Sequence, residues 1–284
     1  MMLKKDIPTG IILYEGPSEL DGQPIVVIAN TFKRNTNKKT GQVIQTWIMR
    51  SDIHPSNALK SGEDSSICGN CKHRGVWSEE KKQMINNTCY VRVIHSPAGI
   101  WRTYKTGLSY VRYESDMDKF FKNQKMRLGC YGDPAAVPLE IWTHFCNIVD
   151  GFTGYTHQWK ICNPLLAYYC MASVDTVWEQ KEAKDIGWRT FRIREIDDPI
   201  ILSNEIVCPA SKEAGRVTNC HDCSVCMGLS SRVSKDVVIK VHGLKHDIRQ
   251  FSKMIQNFKF IPAGEKSVNS TTDVNREVKD YVSV

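Results

Sequence analysis

Apolar and polar positions alternate along this chain in two styles. Up to about residue 66, short apolar runs between polar turns predict a small β subdomain. Ile25–Ala29 and Gly41–Met49 read as strands, and the polar run Lys33–Thr40 reads as the hairpin loop between them. From about residue 90 the runs Tyr90–Ile94, Met126–Tyr131, Gly154–Gln158, Tyr168–Val174, Trp188–Ile193, Glu205–Cys208 and Val237–Val241 read as further strands. Helical stretches over 114–124, 138–149, 176–186 and 246–257 are interleaved with them. Asp175-Thr176 can cap the third helix, and Gly187 stands where a C-terminal glycine belongs.

Repeated strand–helix units imply an α/β fold with a parallel sheet and right-handed crossovers. Seven such strands favour a (β/α) barrel-like sheet over an open doubly wound one, and no G-x-G-x-x-G fingerprint follows the first of them. We therefore expect a β subdomain over 1–66, a barrel-like domain over 67–262 carrying two cysteine clusters, and a polar, disordered tail over 263–284.

The cysteines change the picture most. Cys208 is followed, after eleven residues, by Cys220, Cys223 and Cys226, a C-x11-C-x2-C-x2-C pattern. Thiolates are soft, strongly donating ligands, and two-residue gaps turn successive sulfurs toward one centre. An iron–sulfur cluster and a four-thiolate zinc ion fit about equally well. Cys68, Cys71 and Cys89 form an earlier group, C-x2-C-x17-C, where a second metal centre is expected. His73 is a candidate fourth ligand. A site of three cysteines alone would leave one iron open for substrate, whereas the bland reading of Cys68 and Cys71 is a plain loop.

In a barrel the working residues stand at the carboxyl ends of the strands. Those positions hold His95, Asp133, His157, Asp175, Arg194, Cys208 and His242. Each alone reads more readily as a helix cap or a satisfied rim residue, but the seven together favour an active-site rim. Asp133, Asp175 and His157 are the candidate catalytic groups, as nucleophile or general base. Tyr155 and Trp159 could stack a planar ring or lie in the core. Arg192 and Arg194 share a strand face by period two, where they could meet an anion.

Composition sets outer bounds. The 284 residues are 41% hydrophobic and 24% charged, ordinary values for a globular protein, and no stretch is long enough for a membrane span. A net charge of +7 suits a nucleic-acid partner without demanding one, and Lys33-Arg34 and Lys38-Lys39 read as a solvated loop or a phosphate contact. The start of the chain lacks a signal-peptide h-region, so a reducing cytoplasm is expected and disulfides are not.

The strings Ile67-Cys-Gly-Asn-Cys-Lys-His-Arg74, Cys89-Tyr-Val91, Tyr131-Gly-Asp-Pro-Ala-Ala-Val-Pro138, Gly154-Tyr-Thr-His-Gln-Trp159, Met171-Ala-Ser-Val-Asp175 and Cys208-Pro-Ala-Ser211 with its cysteine trio resemble a bacteriophage and mobile-element protein family of unsettled function. That resemblance, over roughly residues 20 to 245, implies a phage-encoded metal protein in the host cytoplasm. The chain is also similar, more loosely, to tRNA-guanine transglycosylase-type barrel enzymes. That likeness implies a transferase that exchanges or modifies a nucleobase, although the zinc motif there is C-x-C-x2-C with a distant histidine. Two other readings stand beside it: an iron–sulfur, radical-type enzyme, and a DNA-binding or replication accessory protein with structural metals.

Overall fold

The computed structural model describes residues 7–30, 32, 37–201, 203–215, 218–243 and 245–259. In chain order the strands are β1 (Gly10–Pro17), β2 (Pro24–Asn30), β3 (Ile44–Arg50), β4 (Val76–Ser78), β5 (Gln83–Ile85), β6 (Tyr110–Arg112), β7 (Lys125–Tyr131), β8 (Gly151–Thr156), β9 (Met171–Val174), β10 (Thr190–Arg194), β11 (Glu205–Val207) and β12 (Asp236–Lys240). The helices are α1 (Pro55–Ser61), α2 (Ser65–Cys68), α3 (Ser96–Lys105), α4 (Leu139–Ile148), α5 (Val177–Asp185), α6 (Cys220–Cys223) and α7 (Lys245–Lys259).

Ten strands form one sheet in the order β11-β12-β10-β9-β8-β7-β3-β2-β1-β6, and β4 and β5 make a separate hairpin. Every pair from β11 to β3 is parallel, then β3–β2 and β2–β1 are antiparallel. The mostly parallel α/β sheet agrees with the sequence pattern, but closure into a barrel is not seen. The antiparallel strands β2 and β1 lie beyond β3, where a closing strand would have to pair, and β11 and β6 are left as the two edges. The N-terminal strands do not form a layer of their own. Register pairs such as Gln45↔Arg127 join β3 to β7, and Ile11, Ile28 and Ile48 share one buried cluster with Leu128, Trp142 and Trp188.

Two further expectations need correcting. Tyr90–Ile94 is not a strand; it is an irregular connection running into α3, whose early Pro97 suits a helix start. The helix expected over 114–124 is a short 3-10 segment, Ser115–Phe120, and Asn123 at φ 61° turns the chain into β7. The tail from 263, and residues 33–36 of the basic loop, lie outside the described residues.

Strand alternation gives the sheet two unlike faces. Leu128, Ala172 and Val174 face the large core, into which Trp142 and Phe145 of α4 and Ala183 of α5 also pack. The neighbours of these strand residues point the other way. Met171, Val237 and Ile239 form a second, smaller cluster with Tyr155, Phe191 and Ile193. What covers that face is the loop carrying the late cysteines: Cys208 and Cys226 are buried members of the cluster.

Candidate functional site

Parallel strands put their carboxyl ends on one edge, and that edge collects Asp133 after β7, His157 after β8 and Asp175 after β9. Gly132 makes the turn that admits Asp133. Its φ is 80°, and a Cβ there would stand 2.6 Å from Ile48 Cβ and 2.7 Å from the Ile48 carbonyl. Both oxygens of the buried Asp133 carboxylate are taken by backbone: Ala135 N–H donates to Oδ1 at 3.0 Å, and His157 N–H to Oδ2 at 2.8 Å. Burial raises this carboxyl to about 6, against the downward pull of Thr156 and of those N–H groups.

Asp175 is arranged differently. Thr176, not Asp175, caps α5, accepting from Glu179 N at 3.0 Å. The Asp175 carboxylate is fully buried, and its Oδ2 meets His73 Nε2 at 3.0 Å and Lys72 Nζ at 2.9 Å. Burial alone would raise it, but the facing His73 and Lys72 hold it below the usual carboxylate range. Lys72 also pairs with Glu179 at 2.7 Å. Between the aspartates, the His73 and His157 rings meet edge to face at 5.1 Å. Burial lowers the His157 imidazole to about 3, with the His73 charge acting in the same direction. His157 Nε2, Gln158 Oε1, Asp175 Oδ1 and the Tyr131 hydroxyl are buried here without hydrogen-bond partners among the described residues.

The first cysteine group lies across this same edge. Ile67 O accepts from Asp133 N at 2.6 Å, and Cys68 O accepts from Gln158 Nε2 at 2.9 Å. Gly69, at φ 57°, lets the loop come so close that a Cβ would sit 2.4 Å from the Gln158 amide. Arg74 ties the loop together through Asp64 and the carbonyls of Gly62 and Gly69. The N–H groups of Thr88 and Cys89 both donate to His73 O, which brings the third cysteine to the other two. Burial raises the Cys68, Cys71 and Cys89 thiols, and the nearby Cys71 and Cys89 charges add to that of Cys68. His73 has both ring nitrogens engaged, with Thr88 Oγ1 at 2.6 Å and Asp175, so it is not offered as a fourth ligand.

The late group is assembled from three directions on the second face. Cys208 N donates to Val238 O at 2.7 Å at the end of β11. Asn219 caps α6, while Cys220 N and His221 N bond the carbonyls of Lys39 and Thr40. Lys125 Nζ reaches His221 O and Ser224 Oγ. Cys226 O then accepts from Gly154 N in β8. Burial pushes the Cys226 thiol up to about 12, countered by the Tyr155 hydroxyl and reinforced by Cys208, Cys220 and Cys223. Lys39 and Arg127 bring positive charge to Cys220. Two buried thiols, Cys208 and Cys226, and two half-buried ones, Cys220 and Cys223, are of the soft donor type that a thiophilic metal or cluster takes.

All eleven cysteines are unpaired, and among the described residues no three ligand-type side chains stand at coordination geometry. Within each group the thiols nevertheless lie in reach of one another's charge.

No known protein family, curated protein or solved structure matches this chain.

The remaining candidates are occupied internally. Trp159 is buried in the large core, and Tyr155 packs on Phe191 at 4.6 Å and on Cys226. Arg192 and Arg194 share a face as period two required, but the anions they meet belong to the protein. Arg192, 0% exposed, makes a two-pronged pair with Glu205 at 2.7 and 2.8 Å. Arg194 holds Glu213 and the carbonyls of Glu195, Ile196 and Asp198. His95 follows no strand and precedes α3, and His242 Nε2 contacts Lys39 Nζ at 3.0 Å. Sequence reasoning did not single out Lys72, Glu179, Tyr131 or Gln158. Lys72 directly follows the C-x2-C pair, but nothing in the pattern ties it to an aspartate more than a hundred positions away.

Proposed function

We propose that this protein is a thiolate-metal protein, iron–sulfur or zinc, that acts on a nucleobase or nucleic acid. What supports the metal reading is that Cys208 and Cys226 are buried together on one sheet face and that Cys226 also feels the charges of Cys220 and Cys223. On this reading the late centre is structural and closes that face. The early group, Cys68, Cys71 and Cys89, is the working centre, because it lies on the carboxyl edge where open α/β sheets place ligands. Asp133 positions the His157 backbone there, and Asp175 holds His73 and Lys72 in place. The substrate class rests on the +7 net charge.

Base exchange of the transglycosylase type needs a carboxylate open to an anomeric carbon. Asp175 is fully buried and both Asp133 oxygens are taken, so the geometry favours the metal-centred reading over that one.

Anaerobic purification followed by visible absorption, metal and acid-labile sulfide analysis tests the proposal. Two centres per chain are expected, brown for clusters and colourless for zinc. Cys71→Ser should remove one and leave the other. A chain that purifies without stoichiometric metal of any kind overturns the reading.

A further inference from the structure

A cavity of about 260 Å³ opens between residues 84–94 and α7. This lies just under the ~300 Å³ at which pockets for drug-sized molecules begin, which suits one ring system rather than a stretch of polymer. Met84, Val91 and Ile94 give it apolar walls, and Ile94 is left 67% exposed. Its polar lining is three amides, Asn86, Asn87 and Gln250, beside Arg92, Asp247 and His246. Asn87 Oδ1 accepts from Cys89 N at 3.1 Å, which leaves the Asn87 NH2 as a donor, while the Gln250 amide makes no hydrogen bond among the described residues. The arginine of the lining, Arg92, is already paired with Asp247 at 2.6 Å, so its charge is compensated.

We propose that this cavity binds a neutral planar heterocycle, the base of a nucleoside. Side-chain amides present a donor and an acceptor side by side and match the alternating edge of a base, while apolar walls take its faces. A compensated arginine argues against a phosphate as the recognised group. Cys89 lies on the same segment, two residues from both Asn87 and Val91, but no cysteine lines the cavity. The inference deepens the nucleobase reading above and rests on it for what happens after binding, not for binding itself.

The experiment is calorimetric titration of the purified full chain with adenosine, guanosine, cytidine and uridine, with metal content measured on the same samples. At least one nucleoside should bind, and its monophosphate should bind no tighter. Gln250→Leu and Asn86→Gly, the second chosen because Asn86 stands at φ 55°, should each weaken binding by up to about tenfold, the loss of one hydrogen bond, with melting curves little changed. Absence of binding by all four nucleosides, or binding indifferent to both substitutions, overturns the inference. Metal without nucleoside binding would sink this proposal alone, and nucleoside binding without metal would sink the metal reading alone.

Discussion

His157 and Asp133 are joined by one hydrogen bond yet respond to acid in opposite senses. Burial takes His157 from 6.5 down to about 3, so across that window the unfolded chain binds a proton that the folded chain refuses. Its contribution to stability is therefore present above 6.5 and lost as the pH falls toward 3. Asp133 rises from 3.8 to about 6, so the folded chain keeps a proton that the unfolded chain has released. Its contribution is present below 3.8 and lost as the pH rises through 6. We expect His157→Gln to flatten the acid side of the stability profile and Asp133→Asn to steepen it. Urea midpoints measured from pH 4 to 7 check this, and unchanged slopes would mean that the ring and the carboxyl are not held as described. The rim positions of Asp133 and Asp175 were legible, because each comes at the end of an apolar run, whereas His157 fell inside the run Gly154–Gln158 read as a strand. Their roles were not. Whether an aspartate caps the next turn, as Asp133 does, or pairs with a distant loop, as Asp175 does with Lys72, depends on contacts across the fold.

Arg192, Glu205 and Gln180 tie together β10, β11 and α5. Gln180 Nε2 donates to Glu205 Oε1 at 2.8 Å, on the carboxylate that holds Arg192. A buried pair stripped of one partner leaves an uncompensated charge, costing about 3–5 kcal/mol. Arg192→Met should lose that much by denaturant unfolding, and Arg192→Met with Glu205→Leu should lose clearly less. Equal losses in the single and double variants would show that the pair is not the unit. At this scale most strands and α4, α5 and α7 were visible from periodicity. Tyr90–Ile94 misled because alternating apolar residues look alike in a strand and in a connection; here Val91 and Ile94 wall a cavity instead. Arginines alternating along β10 suggested a face that could meet an external anion, since their carboxylate partners lie outside the strand.

Across the whole molecule, the late cysteine loop does for one sheet face what helices do for the other. If the late group holds the metal proposed above, removing it with a chelator should raise amide exchange in β10 and β12 while β1 and β2 stay protected. Uniform loss of protection, or none, would count against a structural role for that centre. The open sheet escaped the sequence reading because strand–helix alternation does not reveal which strand ends up at an edge. The pairing of β3 with β7 has a consequence for synthesis. The hairpins of β1, β2 and β3 are complete once Arg50 has emerged, yet β3 pairs on its other side with β7, which starts at Lys125. At ~5–20 residues per second the ribosome needs roughly 4–15 s for that interval, during which an apolar strand edge is open to any other chain nearby.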